Sequence, residues 1–255
     1  LVEYIENLII KEQMSPYAVA EKIKLEEKFK TTISYKTIYN YIDAGLVPNL
    51  TNKHLPVKKN SKKRKYSKVR TAINNARGKG ISEREDKIEE RAEYGHWEMD
   101  TVVGKQRTKT VLLVLTERMT RQEIIRKIAS KTQISVVKEL DKIERKLGSA
   151  RFRKTFKTIT CDNGCENLDY EGIERSVLVN KKRTRVYYAH PYSAWERGTN
   201  ENANKLIRRY IPKGADISKY SRERIKLIES WINNYPRRIL GGLSSNALIE
   251  QLNIT

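Results

Sequence analysis

The sequence predicts a mixed α/β domain preceded by a small all-α one. Residues 1–50 carry apolar side chains at helical spacing behind good helix-start residues. From residue 97 onward, short β-rich runs alternate with helical stretches, the order expected of an α/β sheet. Between these regions, residues 51–93 lose large apolar side chains and gather charge. Four segments follow: a helical domain over 1–50, a basic linker over 51–93, an α/β core over 94–215 and a C-terminal helical extension over 216–255.

In the first segment Ser15-Pro16 is a helix start, because Ser caps orphan amides and Pro fits the first turn. Val19, Ile23 and Ile33 fall at core positions. A second start at Ser34 leads into Ile38, Tyr41 and Ile42 on one helical face, and Gly45 closes that helix. Two short helices joined by a turn read as a helix-turn-helix, which would present Lys36, Thr37 and Asn40 to a DNA groove. A plain helical hairpin fits the same pattern. In the linker Lys58, Lys59, Lys62, Lys63, Arg64 and Lys65 suit phosphate contacts, or a solvated tether. An acidic stretch from Glu83 to Glu93 ends it.

The core opens with strands over Trp97–Val103, Thr108–Leu115 and Arg121–Ile128. A helix over Ile134–Leu147 carries an apolar stripe of Val137, Leu140, Ile143 and Leu147. Strands over Phe156–Cys161 and Arg185–Ala189 and a helix over Asn200–Tyr210 complete it. Ser221–Asn234 is amphipathic, with Ile225, Ile228, Trp231 and Ile232.

Composition narrows the partners. The 255 residues are 38% hydrophobic, enough for a core, and the formal net charge of +21 favours a polyanion without separating DNA from RNA. Two cysteines four positions apart make no disulfide framework, so a reducing cytosol is expected. Apolar runs fall far short of the roughly 20 residues that cross a bilayer. The first residues lack a Met and a basic start, so no signal peptide is expected and an N-terminal region is expected to be missing.

Acidic residues at strand positions carry the chemistry. Asp100 interrupts an apolar strand, against β propensity and solvation, and a divalent cation would offset that cost. Asp162 follows the strand ending at Cys161; Asp162-Asn163-Gly164 is also ordinary turn chemistry. Two neighbouring strands can bring both carboxylates to one hard cation such as Mg²⁺, and paired ions serve phosphodiester chemistry without a protein nucleophile. A third carboxylate is expected from the helix that follows, from Glu196 or Glu201. Glu201 lies in its first turn, with Asn204, Lys205 and Arg208 on the same face toward DNA phosphates; a solvated helix face is the plain alternative. Cys161 and Cys165 flank Asp162 without a second pair, which argues against zinc. His96 and His190 read as structural or loop-ordering, Glu166 as an acid near the site or a surface loop residue, and Trp195 as a wedge in distorted DNA or a core residue.

These residues resemble the transposases of the IS-thirty family of bacterial insertion sequences. The matching stretches are Gly95-His96-Trp97-Glu98-Met99-Asp100-Thr101-Val102-Val103-Gly104, Cys161-Asp162-Asn163-Gly164, Ala189-His190-Pro191-Tyr192-Ser193-Ala194-Trp195-Glu196-Arg197-Gly198-Thr199-Asn200-Glu201-Asn202, and Tyr210-Ile211-Pro212-Lys213-Gly214. The resemblance implies an RNase H-like core with an Asp-Asp-Glu triad: Asp100, Asp162 and then Glu196 or Glu201. Glu196 leaves 33 residues between itself and Asp162, the spacing usual for that family. Glu201 fits the wider integrase pattern Gly198-x-x-Glu201-x-x-Asn204 followed by basic Arg208. The resemblance further implies two Mg²⁺ (or Mn²⁺) ions per site, held by Asp100, Asp162 and Glu201. It implies contacts to DNA from Arg197, Asn204, Lys205 and Arg208, inverted repeats and target DNA as substrates, a homodimer or larger assembly, and a cytoplasmic place at the nucleoid. A further helix-turn-helix is normal ahead of this one. A non-catalytic DNA-binding protein, and a nuclease of the same fold that cuts without joining, stay open.

Overall fold

The computed structural model describes residues 1–56, 78–191, 193, 196 and 198–254. In chain order the helices are α1 (Val2–Ile10), α2 (Pro16–Glu26), α3 (Tyr35–Asp43), α4 (Asp86–Glu89), α5 (Gln133–Leu147), α6 (Ser149–Thr155), α7 (Tyr170–Glu174), α8 (Gly198–Tyr210), α9 (Arg222–Asn233) and α10 (Ser245–Gln251). The strands are β1 (Lys79–Gly80), β2 (His96–Val103), β3 (Val111–Glu117), β4 (Glu123–Ile128), β5 (Thr158–Cys161) and β6 (Arg185–Tyr188). They fall into two compact units, Leu1–Val69 with Asn234–Asn253, and Arg70–Asn233. The stretch 216–255 is therefore shared: α9 belongs to the second unit and α10 to the first.

The first unit is helical. The Ser15 side chain accepts from Ala18 N at 3.3 Å with Pro16 at the first position of α2, and Ser34 accepts from Thr37 N at 3.1 Å to start α3. Leu8, Ile9, Val19, Ile23, Ile38 and Ile42 are buried. Tyr41, expected beside them, is 41% exposed instead, because α3 is covered only along the Ile38–Ile42 line. Residues 27–34 connect α2 to α3, a longer link than the 3–4-residue turn typical of a helix-turn-helix. Tyr235 returns to this unit and donates its hydroxyl to Ser15 Oγ at 2.8 Å.

The second unit is a six-stranded sheet in the order β1-β6-β5-β2-β3-β4. β2, β3 and β4 form an antiparallel meander, while β5, β6 and β1 run parallel to β2. The boundaries differ from the sequence reading where turns compete. Thr108 bonds back to Lys105 O before β3, and Arg121 sits at φ +61° in the tight β3–β4 turn. Phe156 ends α6, its N–H donating to Phe152 O at 2.7 Å, so β5 starts two residues later.

Strand alternation sorts the core. Trp97, Met99, Leu113, Leu115, Ile159 and Cys161 turn to one face and pack on α5–α7. There Trp97, Phe152 and Phe156 stack with centroid separations of 4.5–4.8 Å. The helix stripe Val137, Leu140 and Ile143 is buried in the same cluster. Leu112 and Val114, the alternate residues of β3, are buried on the other face, where α8 lies. At the β4 edge, α9 side chains replace a further strand: Glu123 N donates to Asn233 Oδ1 at 2.8 Å and Ile125 N to Glu229 Oε2 at 2.5 Å.

Buried charge is paired. Arg183, fully buried, donates to Asp141 Oδ1 at 2.7 Å and Glu144 Oε2 at 3.2 Å, and to the carbonyls of Ile173 and Gly172. Substituting Arg183 with Met removes the buried counter-charge of those carboxylates, leaving Asp141 with Arg175 and Glu144 with Ser176 and the Val177 N–H, and is expected to cost about 3–5 kcal/mol in urea unfolding, as loss of one partner of a buried pair does; an unchanged midpoint would show that the Arg183 pairing contributes nothing.

His96, at the start of β2, bonds Thr158 Oγ1 at 2.8 Å and Glu93 Oε2 at 3.0 Å. Burial pushes its imidazole below the usual value, outweighing the pull of Glu93. Hydrogen bonds from Lys157 and then His96 hold the Glu93 carboxyl down at about 2. Both shifts have the same sign for stability. The unfolded chain takes up a proton on His below about pH 6.5 and on Glu below about 4.5, before the folded chain does. Thermal stability is expected to fall as pH drops from 7 through 6.5 and again below 4.5. His96→Gln should flatten the upper part of that profile, and an identical slope in this variant would count against the assignment.

Candidate active site

The pleat of β2 sends Trp97 and Met99 into the core, so Glu98 and Asp100 point to the opposite face. β5 runs beside β2 in register, with His96 opposite Thr158, Trp97 opposite Ile159 and Glu98 opposite Thr160. Continued two residues past its last pair, that register points Asp100 at Asp162, the residue that follows β5. Both aspartates share the face that carries Glu98 and Thr160, and both are half-buried.

Each carboxylate is held by amides. Asp162 Oδ1 accepts from Gly164 N at 2.9 Å and Asn167 Nδ2 at 2.8 Å. Asp100 accepts from Thr101 N at 2.8 Å on one oxygen and Asn204 Nδ2 at 2.7 Å on the other. Glu98, completely buried, sets the position of α8. Its Oε1 receives Arg118 Nη1 at 2.7 Å and its Oε2 receives the Asn200 backbone N–H at 3.1 Å. That amide belongs to the positive N-terminal turn of the helix. One turn on, Asn204 reaches Asp100; a further turn on, Arg208 donates to Val103 O at 2.7 Å. Asn200, Asn204 and Arg208 thus fasten α8 along β2 at one-turn intervals.

Glu201 lies on the solvent side of that line, its side chain 65% exposed and paired with Lys205 at 3.1 Å. Glu196 is engaged elsewhere. It accepts from His190 N at 2.8 Å and pairs with His190 Nδ1 at 2.8 Å, while His190 Nε2 meets Ser82 Oγ at 3.1 Å. The structure therefore bonds Asn204 to Asp100 and holds Asp162 in the turn that follows the neighbouring strand, while Glu196 pairs with His190 and Glu201 with Lys205. Among the described residues no three of His, Cys, Asp and Glu gather closely enough to hold one ion. Cys161 is buried and Cys165 exposed, both as free thiols.

The residues expected to face phosphates divide. Lys205 is exposed; Asn204 and Arg208 turn toward the sheet, and burial lowers the pKa of Arg208. In the helical unit Lys36 and Asn40 are exposed, whereas the Thr37 hydroxyl is shared with Ser34 Oγ at 2.8 Å in the α3 cap. Lys62, Lys63, Arg64, Lys65, Arg197 and Trp195 lie outside the described residues.

Several contributors escape the sequence reading. Glu98 had one legible signal, a second acid two residues before Asp100 and therefore on the same strand face. Arg118, Asn167 and Lys131 had none, because only the folded turns bring them near. Burial works to lower the Lys131 ammonium pKa, and the carboxylates of Glu166 and Asp162 outweigh it, so the pKa is raised. Arg84, donating to Thr160 Oγ1 at 3.0 Å, is pushed down to about 10 by burial and by Arg118.

Comparison with known proteins gives the family. No protein-family model matches the chain. It is 34% identical over 250 residues to the transposase for insertion sequence element IS4351 of Bacteroides fragilis, covering 96% of this chain and 71% of that one. It is 35% identical over 218 residues to the probable transposase for the insertion-like sequence element IS1161 of Streptococcus salivarius, covering 85% and 58%. It is also 35% identical over 183 residues to the transposase InsI of element IS30C of Escherichia coli, covering 71% and 45%. The chain thus spans about half the length of the latter two. A cryoEM structure of the simian T-cell lymphotropic virus intasome, solved with PP2A regulatory subunit B56 gamma, matches at TM-score 0.41 and 17% identity over 55% of this chain and 48% of that one, too slight a likeness to carry an argument. By its identity to the IS4351 enzyme over nearly its whole length, the chain belongs to the family of insertion-sequence transposases that includes those of IS4351 and IS30.

Proposed function

We propose that this chain carries the strand-cutting and strand-joining centre of a DNA transposase, an RNase H-like core of the Asp-Asp-Glu type. The observation that supports the reading is the parallel β2–β5 register, which, carried two residues past its last pair, aligns Asp100 with Asp162 on the face of Glu98 and Thr160. Family membership supports DNA as the partner, and the net charge of +21 suits a phosphate backbone.

The donor set suits a hard divalent cation. Two half-buried carboxylates, already oriented by the Asn204 and Asn167 amides, offer oxygen ligands with supporting hydrogen bonds. Asp100 and Asp162 would hold it, with Glu201 from α8 as the third carboxylate. Glu201 is preferred over Glu196 because Asn204, one turn along the same helix, already touches Asp100, whereas both oxygens of Glu196 are committed to His190. Two such ions, Mg²⁺ or Mn²⁺, would supply Lewis-acid polarisation of the phosphate and an activated attacking oxygen.

The chain's own residues supply the rest. α8 positions the scissile phosphate with Lys205, and Asn204 keeps the Asp100 carboxylate aimed. In the helical unit, exposed Lys36 and Asn40 on α3 offer DNA contacts of their own, and the composition of Lys62–Lys65 suits phosphates. Water attacks at an element end, and the freed 3′-hydroxyl then attacks target DNA in line in the same site. Two ends require two sites, hence a homodimer or larger assembly working on the inverted repeats. The place of action is the bacterial cytoplasm, at the nucleoid.

Labelled element ends incubated with plasmid should give joined products with Mg²⁺ and none with EDTA; nicks without joining would make the chain a nuclease instead. Asp162→Asn and Glu201→Gln are each expected to reduce both steps by at least about 10²-fold while leaving DNA binding intact, since removing one transition-state contact costs that much. Glu196→Gln should retain activity, and the reverse pattern would move the third carboxylate to Glu196. Asn204→Ala, which removes the side-chain amide on Asp100 Oδ2 without touching charge, should lower activity by roughly 10–100-fold and raise the Mg²⁺ concentration needed; wild-type Mg²⁺ dependence would rule out its orienting role.

A further inference from the structure

Glu166 is 2% exposed, four residues past Asp162, and the mechanism above does not use it. It sits on a 3₁₀ turn, Cys165–Asn167. A carboxylate at that depth needs partners. Its Oε1 receives the Thr101 hydroxyl at 2.6 Å and pairs with Lys131 Nζ at 3.2 Å. Thr101 is the residue after Asp100, and its own N–H donates to Asp100 Oδ1. On the other side, a Cβ placed on Gly164 would lie 2.7 Å from Glu166 Oε2 and 2.8 Å from Asp162 Oδ1. Two carboxylates therefore flank the space of one missing side chain. Gly164 has φ −62° and ψ 141°, a conformation open to any residue, so a larger side chain there would push on the two carboxylates and not strain the backbone. Asn167, next to Glu166, completes the turn by donating to Asp162.

We infer that Glu166 is a positioning residue for the two aspartates: it ties the strand of Asp100, through Thr101, to the turn of Asp162, with Lys131 as its counter-charge and Gly164 as the spacer. The inference rests on the reading of Asp100 and Asp162 as a cation-binding pair. Glu166 thus sets the spacing between a carboxylate on β2 and one on the turn after β5 without itself needing to touch the cation. Such outer partners govern metal affinity about as strongly as they govern activity.

The test is Mn²⁺ binding to the purified chain, read from the loss of the free-ion electron paramagnetic resonance signal, with folding checked by circular dichroism. Glu166→Ala and Gly164→Ala are each expected to weaken Mn²⁺ binding by roughly 10–100-fold. Gly164→Ala changes no charge, so its effect isolates geometry, and it decides the matter if Glu166→Ala fails to fold. Glu166→Gln, which keeps an acceptor for the Thr101 hydroxyl, should recover most of the loss. Unchanged binding in Gly164→Ala, or a Gln variant as weak as the Ala one, overturns the inference, provided Asp162→Asn abolishes binding. Binding that survives Asp162→Asn brings down the underlying aspartate pair instead.

Discussion

A carboxylate cannot remain ionised in an apolar interior without compensation, and Glu98 has no exposure at all. The two groups that compensate it organise the sheet unit. Arg118 comes from the β3–β4 turn and closes the meander against β2. The Asn200 amide comes from the first turn of α8, where the helix presents unpaired N–H groups and partial positive charge. Once that end is fixed, the 5.4 Å pitch carries Asn204 to Asp100 and Arg208 to the end of the strand. The orientation of the helix bearing Glu201 follows from a charge that itself stays out of reach of any substrate.

The two faces of the sheet divide labour. One is filled by aromatic and branched side chains from β2, β3, β5 and α5–α7, and its rigidity holds the strands in register. The other is polar where β2 and β5 meet and apolar where α8 covers β3. The packed face opposes any slip of the strands, and so fixes the register of the polar residues opposite it.

Much of this was legible from the chain itself. Strands β2 to β6, the α5 stripe and the capping serines Ser15 and Ser34 follow from periodicity and local hydrogen bonding, which operate within a few residues, whereas β1 fell in the stretch read as linker. Asp100 stood out because an acid in an apolar strand contradicts its surroundings. Asp162 looked like an ordinary turn residue, and its value depends on pairing with a strand some sixty positions earlier, which no local pattern encodes. The same limit hid Arg118, Lys131 and Asn167. Tyr41 and Phe156 were misplaced because periodicity locates an apolar stripe but does not say how wide a partner covers it or where a helix ends.

The parallel pairing of β2 with β5 has an evolutionary corollary. The intervening β3, β4, α5 and α6 form a detour whose loops are free to lengthen or shorten, since the edges of a connection carry no information about which strands meet. A single inserted residue between Thr158 and Asp162 is another matter: with a side-chain period of two, it would rotate the carboxylate to the hydrophobic face and bring Cys161 out in its place. Variation among descendants of this chain should therefore be generous in loop length and intolerant of any frame change within those four strand positions.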